Sequence, residues 1–274
     1  MNRKAAFFDI DGTLMTSKGF IPESTRDSIK MLQEKGNLAF ICTGRTKVNI
    51  PSQVINLGFS GIISGCGTLI EHDNNTLFYY ELSHELAVQT LNAIRKYKFG
   101  AVYEGRYNLY FDPEGFNPPG QVDTLRKSVG DNLLSINDID VDSELIISKA
   151  TCVAGSEADK WDRVKFLNLM SEYYDVLIQQ PIFINRERLD VFEIVPEGMS
   201  KGSGIRRLCE KLGLSVSDTY AFGDSVNDLE MLNSSGTGIV MGNGSNAAKE
   251  YGDYITDDID HDGIYNALKN FDLI

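Results

Sequence analysis

Apolar and polar positions follow two different rhythms along the chain, and the change of rhythm divides it. Ala5-Ala6-Phe7-Phe8 and Leu38-Ala39-Phe40-Ile41-Cys42 are short unbroken apolar runs, the pattern of strands buried on both faces of a parallel sheet. Between them, residues 22–35 read as a helix. Pro22 opens it, Ile29 and Leu32 stand at helical spacing, and Gly36 stops it. A further helical stretch covers about residues 46–57, interrupted near its start by Pro51, and residues 61–64 read as a third strand. This strand-helix-strand-helix-strand order predicts an α/β fold with a doubly wound parallel sheet.

The middle of the chain reads differently. Residues 68–71 and 77–81 flank Asp73-Asn74-Asn75, a hairpin signal. Helices expected at 85–97, 121–129 and 157–174 are separated by strands such as 101–104 and 109–112, rich in Tyr and Thr and half exposed in pattern. An antiparallel α+β module is expected there. The first rhythm then resumes, with a helix at 200–212 that carries Ile205, Leu208, Cys209 and Leu212 on one face. After it come the apolar run Tyr220-Ala221-Phe222, a short helix at about 228–232, and Gly238-Ile239-Val240-Met241. The expected domains are therefore residues 1–82 with 189–274, forming one core, and residues 83–188 as an insertion.

Composition narrows the partners. The 274 residues carry a formal net charge of -13, and without a dense Lys/Arg block they offer little attraction to a nucleic-acid backbone or an anionic membrane. An anionic substrate is not excluded, because a bound cation and one or two lysines can reverse a local field. No apolar run approaches the roughly 18 residues of a membrane span, and Asp9 and Asp11 interrupt the N-terminal apolar stretch too early for a signal peptide. Cys42, Cys66, Cys152 and Cys209 are scattered without a CxxC pair, which reads as isolated reduced thiols in a cytoplasmic protein.

Two acidic clusters carry the candidate chemistry. Asp9-Ile10-Asp11-Gly12-Thr13 directly follows the first buried strand, where open α/β sheets place their ligands. If the extended geometry continues, Asp9 and Asp11 point to the same side, and two close carboxylates need a cation between them or one raised pKa. Gly12 lets the chain turn sharply there. Gly223-Asp224-Ser225-Val226-Asn227-Asp228 likewise follows an apolar strand and precedes a helix. An exposed Asp-Gly turn explains the first cluster alone, and helix capping by Asp224 or Ser225 explains the second alone. Together, at two strand ends of one sheet, they point to a site for a hard cation, Mg2+ rather than zinc. Thr43-Gly44-Arg45 adds a hydroxyl and a glycine amide at the same edge. Lys201, at a helix N-terminus where the dipole disfavours a cation, suggests an anionic partner.

Asp9 to Thr13, Cys42-Thr43-Gly44-Arg45, Ser200-Lys201-Gly202-Ser203-Gly204-Ile205 and Gly223 to Asp228, in that order, resemble the four motifs of the haloacid-dehalogenase-like phosphohydrolases, specifically the Cof-like branch with a type IIB cap. The resemblance runs from Asp9 to the tail at 262–268. It implies a phosphatase with Asp9 as nucleophile and Asp11 as general acid and base. The carboxylates of Asp9 and Asp224 and the backbone carbonyl of Asp11 would hold Mg2+, and Asp228 would support the metal or orient Lys201. Thr43 and Lys201 would bind the transferring phosphoryl oxygens, with Gly12, Gly44, Arg45 and Asn227 close to the phosphoryl group. The substrates it implies are small phosphorylated metabolites, sugar phosphates above all. A phosphomutase acting on a hexose phosphate, or a non-catalytic phosphometabolite-binding protein, are the alternatives. One departure stands out: Ser64-Gly65-Cys66-Gly67 puts Cys66 where related sequences carry Asn. In the insertion, Glu104, Arg106, Tyr107, Arg186 and Arg188 are candidates for contacting the leaving group.

Overall fold

The computed structural model describes residues 3–154, 160–179, 181–184 and 187–274, without the side chains of residues 160, 161, 182, 184 and 187. The chain forms two compact units, one of Met1–Arg45, Ile50–Tyr79 and Ser200–Ile274, the other of Thr46–Asn49 and Tyr80–Met199. The first unit holds β1 (Ala5–Phe8), β2 (Leu38–Cys42), β3 (Gly61–Ser64), β4 (Leu69–His72) and β5 (Asn75–Tyr79). The second holds β6 (Gly100–Glu104), β7 (Leu109–Phe111), β8 (Leu133–Ser135), β9 (Lys149–Ala154), β10 (Tyr174–Ile178), β11 (Ile182–Ile184) and β12 (Glu187–Pro196). The chain then returns to the first unit with β13 (Thr219–Gly223), β14 (Thr237–Val240) and β15 (Tyr254–Ile255).

In the first unit the strand order is β15-β14-β13-β1-β2-β3-β4-β5. Pairing is parallel from β15 to β3, and the hairpin β4-β5 adds an antiparallel edge, so the α/β sheet is mixed. Helices cover both faces, and the apolar runs are split between them by the period of two. Ala6, Phe8 and Ile41 join Ile29, Leu32, Ile264 and Leu268 in one core. Ala5, Phe7 and Phe40 join Ile205, Leu208, Met231 and Leu232 in the other. Stacked rings tie the central strands together, Phe7 on Phe40 at 5.3 Å and Phe8 on Phe222 at 4.7 Å. The chain winds outward from β1 towards β3, then outward the other way from β13 to β15. Strand order therefore reverses beside β1, which puts the ends of β1 and β13 at the switch point where such sheets bind ligands.

The second unit is a sheet of order β10-β12-β9-β6-β7-β8, with β11 on β12. It is antiparallel except for β7 with β8. Helices His84–Lys96 and Lys160–Met170 contribute Ala87, Leu91, Ile94, Phe166 and Met170 to its core, against Ala101, Tyr103, Cys152, Phe192 and Ile194 of the sheet. The start expected for the later helix, residues 157–159, lies outside the described residues. The second compact unit runs on to Met199, because β12 extends to Pro196 and pairs with β9 and β10. The helix expected at 46–57 is two short pieces, Lys47–Asn49 and Ser52–Ile55. Pro51 ends one and caps the next, since it has no N–H to donate and clashes with the preceding turn.

Candidate active site

Asp9 extends β1 by one residue, its backbone N–H donating to the carbonyl of Phe222 at 3.0 Å. The extended run stops there, so the condition for a period of two from Asp9 to Asp11 is not met. The carbonyl of the fully buried Ile10 accepts from Leu14 N at 3.0 Å and Met15 N at 2.8 Å, curling the chain. Asp9 is consequently buried, whereas the half-exposed Asp11 carboxylate accepts from Arg45 Nε at 2.7 Å and Nη2 at 2.9 Å. Gly12 completes the curl at φ +84°, and a Cβ at this position would lie 2.4 Å from Asp224 Oδ2. Gly12→Ala therefore forces a left-handed alanine, at about 1–2 kcal/mol, and pushes Asp224 aside. A lower melting temperature together with an activity loss of about tenfold or more is expected, read by thermal denaturation and phosphate release.

Lys201 starts the helix Lys201–Leu212, whose first turn is fixed by a reciprocal cap between Ser200 and Ser203. The cap aims the buried lysine at the sheet edge. Its Nζ donates to Asp9 Oδ1 at 2.7 Å and Asp228 Oδ1 at 2.6 Å. Burial pulls the Lys201 pKa down, but the charges of Asp228 and Asp9 outweigh it and hold the group well above its ordinary value. A cation at this helix start is thus balanced by two carboxylates, as the dipole requires. Asp228 is fully buried, and its Oδ2 accepts from the backbone N–H groups of Asp224 at 3.0 Å and Ser225 at 3.1 Å. The short helix expected at about 228–232 is Leu229–Asn233, and a 3-10 turn, Val226–Asp228, precedes it, with Ser225 and Asp228 capping one another. Capping and site-building coincide in Asp228.

Asp9, Asp224 and Asp228 each place a carboxylate oxygen within 4.8 Å of the others. Burial pushes both Asp9 and Asp224 up to about 7. Lys201 pulls each back, while the other carboxylates add to the rise. Asp224 Oδ1 is buried without a hydrogen-bond partner. Hard oxygen donors, mutual repulsion and an orphaned carboxylate oxygen together fit a divalent cation. Because Asp228 already accepts from Lys201 and two amides, the free oxygens belong to Asp9 and Asp224.

The remaining sequence candidates divide. Thr43 is buried at the end of β2, and its hydroxyl accepts from Arg45 N at 3.2 Å. Gly44 is half-buried beside it. Asn227 is exposed, its amide oxygen accepting from Ser225 Oγ at 2.5 Å. Cys66 is buried in a left-handed run, with φ of 59°, 55° and 85° at Gly65, Cys66 and Gly67, and its N–H donates to the Thr43 carbonyl at 3.2 Å. In the second unit Glu104 is buried and bound by Lys149 Nζ at 3.5 Å, Thr151 Oγ1 at 2.7 Å and Thr46 Oγ1 at 3.1 Å. Arg106 stacks over the exposed ring of Tyr107 at 5.1 Å. Arg188 is exposed and pairs with Asp190 at 3.1 Å, and Arg186 lies outside the described residues. Asn243 is a site neighbour that sequence reasoning missed, its Nδ2 donating to the Gly12 carbonyl at 2.8 Å. The only signal was a Gly-Asn-Gly turn at another strand end of the same sheet.

No helix among the described residues is long and apolar enough to cross a membrane. The model of the haloacid dehalogenase-like hydrolase family matches residues 6–268. YkrA of Bacillus subtilis is 30% identical over 275 residues, covering 100% of each chain. The 5-amino-6-(5-phospho-D-ribitylamino)uracil phosphatase YcsE of the same organism is 26% identical over 98% of this chain and 96% of its own. Among solved structures, the HAD subclass IIB sugar phosphatase BT4131 superposes with a TM-score of 0.75 at 25% identity, covering 99% of this chain and 100% of that one. A match over almost the whole chain, carrying both acidic loops and the buried lysine between them, assigns the family: the chain belongs to the haloacid dehalogenase-like hydrolases and is a phosphatase among them.

Proposed function

We propose that the chain is a Mg2+-dependent phosphatase hydrolysing phosphate monoesters of small metabolites, sugar phosphates foremost, through an aspartyl-phosphate on Asp9. One observation carries the reading: the Asp9 carboxylate is buried at the end of β1, against the Lys201 ammonium at 2.7 Å and within the three-carboxylate cluster. That is a nucleophile beside a fixed positive charge. A carboxylate is suited to the role because its acyl phosphate is readily hydrolysed afterwards. The names of YcsE and BT4131 support a polyhydroxylated phosphate ester as the substrate class.

Asp9 attacks phosphorus and the leaving oxygen departs. Asp11 moves the proton, giving it to the leaving alcohol and later taking one from the attacking water. For this its carboxylate exchanges one contact with Arg45 for the substrate. Lys201 and Thr43 meet the phosphoryl oxygens as charge develops on them, and Asp228 holds Lys201 in place. Asp9, Asp224 and the Asp11 carbonyl would hold Mg2+, which when bound neutralises the phosphoryl charge and suppresses repulsion between the carboxylates. Four buried cysteines, none in a disulfide, support the reducing cytoplasm as its compartment.

The test is inorganic phosphate release from a panel of sugar phosphates, nucleotides, flavin mononucleotide and pyridoxal phosphate. Release is expected with Mg2+ and is expected to disappear with chelator. Isomerised product with its phosphate retained would establish a mutase instead, and binding without turnover a sensor. Metal binding has its own readout. Asp9 and Asp224 are raised from 3.8 to about 7, so the metal-free fold binds more protons than the unfolded chain in that window. Their contribution to stability is accordingly lost as pH rises from about 4 to about 7. Mg2+ binds the ionised carboxylates, so its protection grows over the same range. At 100 times its dissociation constant it adds about 2.7 kcal/mol. A melting-temperature rise larger at pH 8 than at pH 6, and absent in Asp224→Asn, is expected.

A further inference from the structure

Beyond β14 the chain turns through Met241-Gly242-Asn243-Gly244-Ser245, at the same sheet edge as Asp9 and Asp224. This turn braces both acidic loops. Ser245 N donates to the carbonyl of Asp224 at 2.8 Å. Asn243 Nδ2 donates to the carbonyl of Gly12 at 2.8 Å, and Asn243 Oδ1 accepts from Ile259 N at 2.8 Å. The turn is itself anchored, with Gly242 N donating to the Asp257 carbonyl at 3.0 Å and Gly244 N to the Met241 carbonyl at 2.8 Å. Its glycines sit where side chains do not fit. A Cβ at Gly242 would lie 2.4 Å from Asp258 Oδ1, and one at Gly244 would lie 2.9 Å from the Asp224 carbonyl.

The bridge calls for an amide. One partner is a carbonyl and the other an N–H, so the side chain must donate at one atom and accept at the other. Both bonds meet structure that matters to the site. Gly12 lies against the Asp224 carboxylate so closely that no Cβ fits between them. Its position is thus set from one side by Asp224 and from the other by Asn243, which is tied in turn to the tail at Ile259.

We infer that Asn243 is a positioning residue: it locks the Asp9–Gly12 curl in register with the Asp224 loop, so that the oxygens of the two loops keep the spacing a divalent cation needs. It touches no reacting atom. The inference rests on the phosphatase reading above.

The experiment uses the full chain as wild type, Asn243→Ala and Asn243→Asp. Mg2+ affinity is measured by calorimetry with the metal alone, kcat and KM with p-nitrophenyl phosphate at saturating Mg2+, and folding by melting temperature. Asn243→Ala is expected to weaken Mg2+ about tenfold and to lower kcat about tenfold with KM within about twofold, the scale of a modest misplacement of reacting groups. Asn243→Asp keeps the acceptor for Ile259 but presents no donor to Gly12, so its kcat is expected to fall alike. Mg2+ affinity and kcat unchanged in Asn243→Ala would overturn the inference. So would wild-type kcat in Asn243→Asp, which would leave only the tail anchor as the role. A wild type that neither binds Mg2+ nor releases phosphate would overturn the phosphatase reading itself, and this inference with it.

Discussion

Lys201→Met is expected to cost about 3–5 kcal/mol of folding stability and about a thousandfold in turnover. The ammonium is 3% exposed and lies 2.7 Å from Asp9 and 2.6 Å from Asp228. Its removal leaves two buried carboxylates facing each other, with Asp224 close by. Methionine fills the volume of the lysine stem, so an empty cavity adds little. The helix start gains only a fraction of the loss, about 0.3–1 kcal/mol, from shedding an unfavourable cation. The turnover loss reflects a missing charge where the phosphoryl oxygens develop theirs, an effect of about 10²–10³ for one preorganised donor elsewhere. Two measurements separate the effects, thermal denaturation with and without Mg2+ and kcat at saturating substrate. Mg2+ should narrow the stability gap, because a cation among Asp9 and Asp224 replaces part of the lost positive charge, yet leave kcat low. A variant as stable as wild type in metal-free buffer at pH 8 would mean that the carboxylates do not depend on Lys201 for their charge balance.

Much of the first unit was legible because its signals are local. A strand buried on both faces reads as an apolar run, and Ala5–Phe8 and Leu38–Cys42 are such strands, their alternate residues divided between two cores. Gly61–Ser64 matches its expected bounds residue for residue, and in the second unit so does the helix Gln121–Val129. β12 was less legible. Its alternation of Val191, Phe192, Glu193 and Ile194 takes meaning only from partners some 40 residues away in β9, and nothing in the local run says which sheet it joins. The site shows the same division. Carboxylates just past apolar runs announced Asp9 and Asp224. The curl after Asp9 did not announce itself, since it depends on the Ile10 carbonyl capturing amides further along. Asn243 was hidden because its partners, Gly12 and Ile259, are 231 and 16 residues away. Cys66 was visible as a departure, but its left-handed backbone between two glycines at positive φ is a property of the turn and not of the residue type.

Asp9→Asn is expected to lower phosphate release by at least about a thousandfold, about 4 kcal/mol in the barrier, while leaving the protein folded and, without Mg2+ at pH 8, at least as stable as wild type. The two halves have one cause. Burial and the neighbouring carboxylates push Asp9 up to about 7 against the pull of Lys201, so its ionised form is costly to the fold just where it is needed for attack. The amide has the same shape and no charge, which relieves the repulsion with Asp224 and Asp228. Lys201 keeps Asp228 at 2.6 Å and is not orphaned. The amide is also no nucleophile, so no phosphoryl-enzyme can form. Acid quench of wild type during turnover should trap protein-bound phosphate that hydroxylamine releases, as an acyl phosphate requires, and Asp9→Asn should trap none. Asp11→Asn discriminates further. It keeps the nucleophile, so trapped phosphate should persist while its hydrolysis slows, by about 10²–10⁴ for a lost general base. Activity in Asp9→Asn within tenfold of wild type would place the nucleophile elsewhere. A large loss of stability would show that its carboxylate is held chiefly for the Lys201 ion pair. A stable, inactive protein identifies a buried charge kept for chemistry at the expense of the fold.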